Sequence, residues 1–399
     1  MEIEDKEIYS VFQPIFSFSN QACIGAEALV RGINKKTLQP LSVEECLYPS
    51  SKTSFSEYTK KLNRTHLLNW QDRQDGHNWV FLNLDFQQLD SVDDLCIEEL
   101  LDDLSLSGKD LVVEIVESEI ADEALFENLI TKLRKLGCLI ALDDFGAGHS
   151  NVDRIWKAEP EIVKLDRQVL LEATKSLRSE SILRNLVYLI KQSGSIALLE
   201  GIETHEQAML AMDIGVDLVQ GFYFAKPQKE LSLASDGERL LKEITENYPV
   251  YRSEKQFIQN IQKKGYETLF ETLNGLETAN KLEEEMIAVS ALSFVKRFFI
   301  LDSHGFQISE EYRGDCSEED SQQILKKGKG LCWRNRRYFI KAMKNPGGIY
   351  VSRPYRSLID VELCLTVSKA IQLENGQQVV ACFDVFYHDK STSSVQISI

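Results

Sequence analysis

Ile140-Ala141-Leu142-Asp143-Asp144-Phe145-Gly146-Ala147-Gly148-His149-Ser150-Asn151 is the stretch from which the rest of the chain can be read. A short apolar run predicts a buried strand. Two adjacent carboxylates end it, and a loop with two glycines follows. Such a pair repels itself unless a cation lies between the groups, and a divalent metal pair is the usual answer. Taken alone, the stretch reads first as a strand stopping in a solvated turn. Other strand-like runs change that, because they too end in ligand-type residues. These ends are Glu27, Asn83, Glu114, Lys164, Glu200 and Gln220, beside Asp143 with Asp144.

The runs are apolar on both faces and alternate with helical stretches, the pattern of a parallel sheet covered by helices. Seven or eight such units within about 230 residues predict an α/β fold of the TIM (β/α)8 barrel type, whose strand ends converge on one mouth. No G-x-G-x-x-G follows a strand, which argues against a dinucleotide fold. Carboxylates and amides without cysteine or histidine select Mg2+ or Mn2+ over zinc. A lysine in the same ring suits the stabilisation of phosphoryl charge.

Composition narrows the partners. The chain has 399 residues, 43% hydrophobic and 27% charged, with a formal net charge of -17. That excess of acid disfavours nucleic-acid backbones and anionic membrane surfaces, while metals keep a small anionic ligand in play. The eight cysteines include no C-x-x-C pair and several sit in apolar runs. They are expected to be free thiols in a reducing cytoplasm. The charged N-terminus and the absence of a span-length apolar run lead to the expectation of a cytoplasmic protein with no membrane insertion.

Beyond the barrel, Asp236 to Glu246 is predicted helical and Pro249 is expected to break it. Residues 253–290 have helical spacing, interrupted near Gly265 and Gly275. A hairpin over 297–309, a helix from Ser321 to Met343, and strands over 348–352, 361–371 and 378–386 predict a separate α+β domain, its last two strands joined at Asn375-Gly376. The expected organisation is a barrel over 1–245, a helical linker over 246–290 and a regulatory domain over 291–399. The basic, aromatic stretch Trp333-Arg334-Asn335-Arg336-Arg337-Tyr338 reads either as a solvated helix face with core aromatics or as part of an anion pocket using Arg337, Tyr355 and Asp384.

The barrel motifs resemble a known family. Glu27-Ala28-Leu29-Val30-Arg31 is similar to the signature of EAL-domain cyclic-di-GMP phosphodiesterases. The accompanying motifs follow in order: Phe12-Gln13-Pro14-Ile15, Asn83-Leu84, Glu114-x-x-Glu117, Asp143-Asp144-Phe145-Gly146, Lys164-Leu165-Asp166, Glu200-Gly201-Ile202-Glu203-Thr204 and Gln220-Gly221-Phe222-Tyr223-Phe224. The resemblance covers about residues 8 to 230. It implies a barrel with an antiparallel first strand and hydrolysis of cyclic-di-GMP to linear pGpG with two metals per site, Mg2+ or Mn2+. By motif, Glu27, Asn83, Glu114 and Asp143 would hold the first metal, Asp143 would bridge, and Asp144 would serve the second. Lys164 would orient water or offset phosphoryl charge. Glu200 would be the general base or a second-metal ligand, and Glu203 and Gln220 would order the metal shell. Glu117 would brace the loop after Asp144. Gln13, Leu29 and Arg31 would contact substrate, with Gln220 beside it.

Departures from the family pattern are Phe12, Asp85, Val116, Ala147, His149 and Asn151. None removes a metal ligand, but those after Asp144 weaken the loop's usual hydrogen bonds and favour a rival expectation, a cyclic-di-GMP receptor with little turnover. The C-terminal domain resembles the PAS-like/Cache-like module of YkuI-type EAL proteins, implying a sensory role for an unidentified small ligand or protein. A homodimer is also implied. No GGDEF-like cyclase motif is present.

Overall fold

The computed structural model describes residues 2–3, 5–48, 54–71, 79–84, 92–116, 123–147, 152–229, 234–310, 312–313 and 328–387. Glu117, Asp85, His149, Asn151, Cys316 and the predicted helix over 321–327 lie outside these residues. The chain divides into two compact units, the first running to Arg252 and the second over Ser253–Lys390.

The first unit is built from strands β1 (Glu2–Ile3), β2 (Lys6–Ser17), β3 (Ala22–Asn34), β4 (Trp79–Asn83), β5 (Leu111–Val116), β6 (Leu139–Phe145), β7 (Ile162–Leu165), β8 (Ile196–Leu199) and β9 (Leu218–Val219). Strands β3 to β9 pair in sequence order and in parallel, while β2 runs antiparallel to both β3 and β9 and closes the barrel. The antiparallel first strand agrees with what the family resemblance implies. Between the strands lie α1 (Val43–Leu47), α2 (Phe55–Gln71), α3 (Ile97–Leu104), α4 (Glu123–Leu136), α5 (Val152–Ala158), α6 (Arg167–Ala173), α7 (Leu177–Gln192) and α8 (His205–Ile214).

Two-residue periodicity sorts the strand side chains. Ile15, Phe81, Val112, Ala141, Ile162, Leu198 and Leu218 face inward and fill the barrel floor as one apolar cluster. The neighbours Val80, Leu82, Val113, Ile140, Leu142 and Val163 face outward into the larger core beneath the helices. Continuing the inward face by two residues gives Asn83, Glu114, Asp143, Lys164, Glu200 and Gln220. The mouth is therefore the next inward layer above a packed floor. Gly25 occupies the β3 floor position, where a Cβ would lie 2.4 Å from the Trp79 carbonyl oxygen.

The helix α9 (Ala234–Gly265) contains Pro249, so the expected break there is not observed. Proline removes one i→i−4 hydrogen bond, a cost of about 3 kcal/mol. Buried Leu241 and Ile244 anchor the preceding turns. The helix stops at Gly265. The boundary between the units falls within α9. Residues of the stretch expected as a linker, Leu269, Phe270, Leu273, Leu282 and Met286, pack in the core of the second unit.

The second unit contains α10 (Ala279–Ser290), β10 (Val295–Asp302), β11 (Tyr312–Arg313), α11 (Arg337–Lys344), β12 (Ile349–Val351), β13 (Tyr355–Arg356), β14 (Leu363–Gln372) and β15 (Gln378–Phe386). The sheet is antiparallel in the order β11-β10-β15-β14-β12, with β13 also on β14. The Asn375-Gly376 turn joins β14 to β15, with Gly376 at φ 86°. The helix expected from Ser321 to Met343 is shorter among the described residues, beginning only at Arg337. Residues 328–333 instead lie across from 305–307: Gln307 N donates to Leu331 O at 2.9 Å, and Trp333 N donates to Gly305 O at 2.7 Å. Gly330, at φ 87°, fits this turn and not a helix. No described helix is long and apolar enough to cross a membrane, and the described cysteines are free.

Candidate functional site

Lys164 stands at the centre of the barrel mouth. Its Nζ lies 2.6 Å from Glu114 Oε1, 2.7 Å from Glu200 Oε1, 3.1 Å from Asp143 Oδ1 and 3.8 Å from Glu27 Oε2. The Lys164 side chain is 1% exposed and that of Glu114 is fully buried, so these charges interact with little solvent screening. Glu27 is held from both sides: Asn83 Nδ2 donates to its Oε1 at 2.7 Å, and Gln220 Nε2 to its Oε2 at 2.8 Å.

Two neighbours in sequence reach the same mouth because the ladder slips. The pairing of β6 with β7 passes from Leu142–Val163 to Phe145–Leu165, so Asp143 and Asp144 together oppose Lys164. Such a bulge breaks the strict alternation of faces. Asp144 adopts φ 55°, a left-handed conformation that aspartate tolerates better than most residues. Its N–H donates to Asp143 Oδ1 at 2.9 Å. Gly146 follows at φ 100°, with Val169 where a Cβ would project.

Crowding perturbs the titration of these groups. Burial, with the charges of Glu27, Asp143 and Glu200, drives the Glu114 pKa well above the carboxylate range despite Lys164. Burial and neighbouring Asp143 and Glu27 push Glu200 up to about 8, against the pull of Lys164. At Glu27 burial acts upward too, but Lys164, Gln220 and Asn83 outweigh it and the pKa falls. Burial and Asp143 raise Asp144. Burial disfavours the Lys164 ammonium, yet the surrounding carboxylates hold it charged.

The supporting residues divide by position. Gln13 is the cross-strand partner of Glu27 and so flanks the ring. Leu29 and Arg31 follow farther along β3, and the Arg31 guanidinium donates to Val30 O at 2.7 Å. Glu203 sits on the loop after β8, paired with Arg167 at 2.9 Å. Gln207 accepts from the Glu203 N–H at 2.7 Å. The sequence reading missed Arg167 and Gln207. Arg167 directly follows the Lys164-Leu165-Asp166 motif, and Gln207 completes a capping box with Thr204, a signal available in the spacing. Asp384 and Tyr355 meet in the second unit at 3.4 Å, whereas Arg337 lines a neighbouring cleft with Tyr355.

The donor set suits a hard divalent cation: it is all oxygen, and it includes buried Glu114 Oε2 and Gln220 Oε1, to which no group among the described residues donates a hydrogen bond. Among the described residues, no three His, Cys, Asp or Glu side chains are already drawn to metal-binding spacing. The carboxylates close on Lys164 Nζ instead, so an entering cation must share them with that ammonium.

The chain is 34% identical over 136 residues to the cyclic di-GMP phosphodiesterase RocR of Pseudomonas aeruginosa, covering 34% of each protein. It is 25% identical over 387 residues to YkuI of Bacillus subtilis, described as an uncharacterized EAL-domain containing protein, covering 91% of each. The crystal structure of YkuI in complex with c-di-GMP and calcium matches with a TM-score of 0.73 at 20% identity, over 95% of this chain and 96% of that one. The chain thus spans only about a third of RocR but nearly all of YkuI. The EAL domain model matches residues 1–227, and the chain belongs to the EAL domain family.

Proposed function

We propose that this protein hydrolyses one phosphodiester of cyclic-di-GMP to give linear pGpG, using two divalent ions, Mg2+ or Mn2+, at the barrel mouth. The observation that carries the reading is the convergence of Glu27, Asn83, Glu114 and Asp143 around Lys164 in an EAL domain. Glu27, Asn83, Glu114 and Asp143 would hold one ion and Asp144 the second. Bound there, the ions would lower the pKa of a shared water and neutralise phosphoryl charge. Lys164 places its ammonium beside the phosphoryl oxygens. Glu200, 2.7 Å from the Lys164 ammonium at the mouth, would take the proton from the attacking water or serve as a ligand of the second ion. Arg167 and Gln207 fix the loop bearing Glu203. Arg31 offers a guanidinium to a substrate phosphate, and Gln13 and Leu29 line its approach.

The test is purified protein with cyclic-di-GMP and either metal, products resolved by chromatography. Accumulating pGpG that is lost in Glu27→Ala supports hydrolysis. Tight binding without product over hours in both metals overturns it and leaves the receptor reading, which Ala147 favours by lacking the hydroxyl common after Asp-Asp-Phe-Gly. We further propose that the second unit is a PAS/Cache-like regulator of the barrel and that the protein acts as a homodimer. Unchanged turnover on deleting 250–399 counts against the first, and a monomer mass in sedimentation against the second.

A further inference from the structure

The second unit carries a feature that the barrel's chemistry does not use. A cleft of about 210 Å3 opens between the start of α11 and the segment joining β12 to β13. Three guanidinium groups line it: Arg336 and Arg337 from the start of α11, and Arg353 from the joining segment. No Asp or Glu is part of the lining. Among the described residues, no carboxylate lies within ion-pair distance of any of the three. In a chain of net charge -17, three clustered arginines left without acids run against composition. Like charges gathered this way repel, and an anion between them removes the repulsion.

The surroundings hold the cationic face in place. Arg336 stacks over the rings of Trp333 and Tyr355, at 5.7 and 5.8 Å. It is also the N-cap of α11, and its side chain accepts no hydrogen bond from the helix, so no side-chain cap competes for the first-turn N–H groups. Tyr355 turns its hydroxyl away, toward Thr366 Oγ1 at 2.6 Å, and presents its ring to the cleft. The nearby Asp384 cannot neutralise the arginines. Its Oδ2 lies 3.0 Å from Arg297 Nε, and its Oδ1 accepts from Thr366 at 2.8 Å.

We infer that this cleft is a binding site for a small dianion, a dicarboxylate or a phosphate monoester. Guanidinium groups pair with either in a bidentate fork. Two charges are required because the arginines come from two segments, and a monoanion would leave one side unpaired. The cleft is smaller than the ~300–1,000 Å3 of drug-sized sites, which limits the ligand to metabolite size. The inference concerns the second unit alone and stands apart from the reading of the barrel.

The experiment uses the full chain in metal-depleted buffer, with ionic strength held constant by chloride. Succinate, 2-oxoglutarate, phenyl phosphate and inorganic phosphate are titrated separately by calorimetry, with melting temperature as a second readout. A saturable response to the carboxylate or the phosphate arm identifies the source. In R337A/R353A, affinity should fall by about ten-fold or more, as expected for lost charge-assisted hydrogen bonds. The lysine pair R337K/R353K should retain part of it. Both arginines are exposed, so folding is not at stake, and an unchanged melting temperature without ligand verifies this. No saturable response to any probe up to ~10 mM overturns the inference. So does a response of equal strength in R337A/R353A.

Discussion

Replacing Lys164 by Met keeps most of the buried stem and removes only the ammonium. In the native mouth that charge lies within 3.8 Å of four carboxylates. Breaking a buried ion pair by deleting one partner costs about 3–5 kcal/mol, because the other charge stays buried without compensation. Lys164→Met should therefore lower barrel stability by about that amount at pH 8 in metal-free buffer. The loss should shrink as pH falls toward 5. Glu114 and Glu200, whose folded pKa values already lie above the ordinary carboxylate range, favour the folded state at low pH and oppose it as pH rises through the folded pKa. Mn2+ should then rescue the variant more than it stabilises the parent, because both cations draw on the same oxygens. The assay is urea unfolding with and without Mn2+. Trp70, Trp79 and Trp156 report on the barrel, and Trp333 on the second unit as an internal reference. Equal urea midpoints for variant and parent at pH 8 without metal would refute the assignment of Lys164 as the counter-charge of this site.

Other consequences can be measured more simply. His66 is buried and its pKa is lowered to about 4, so the unfolded chain gains the proton first as pH drops below 6.5. This removes up to ~3 kcal/mol between pH 6.5 and 4, and the slope of stability against pH there should flatten in His66→Gln; an unaltered slope excludes His66 as its source. Phe81 is fully buried in the barrel floor, so Phe81→Ala should cost ~3–5 kcal/mol in chemical denaturation, a loss under 1 kcal/mol meaning that the floor collapses freely. Asp144→Gly should raise stability by about 1 kcal/mol by relieving the left-handed backbone while abolishing turnover, and destabilisation in metal-free buffer would contradict that strain argument.

Much of the barrel was legible because its strands are short apolar runs ending in polar residues. Asn83, Glu114, Asp143, Lys164 and Glu200 could be gathered from sequence alone, since a barrel sends its strand ends to one mouth. What the sequence did not reveal depends on pairing. The closing role of β2 rests on two antiparallel partners, which no local pattern encodes. The centrality of Lys164 is a matter of register, invisible in a list of strand ends. Pro249 misled because an exposed proline can persist where the turns before it are anchored by packing. Over 328–336 the expected helix is replaced because 328–333 finds partners at 305–307, a tertiary pairing that overrides local propensity.

The two-residue period also explains why the mouth can hold so much charge. Along β4, β5, β6, β7 and β8, each site residue stands two places beyond a floor residue: Phe81 under Asn83, Val112 under Glu114, Ala141 under Asp143, Ile162 under Lys164, Leu198 under Glu200. A register slip of one residue would expel both layers to the outer face. The apolar floor thus fixes the register that the charged layer cannot stabilise by itself, since its carboxylates repel one another. At β6 alone, regular alternation would send one of two adjacent aspartates outward. The slip in the ladder against β7 lets both oppose Lys164. The left-handed Asp144 and the glycine two residues later allow the chain to leave the strand at once. Asp143-Asp144-Phe145-Gly146 therefore combines the last inward residue, a second carboxylate added by a bulge, an outer-core anchor and the turn that makes the bulge possible.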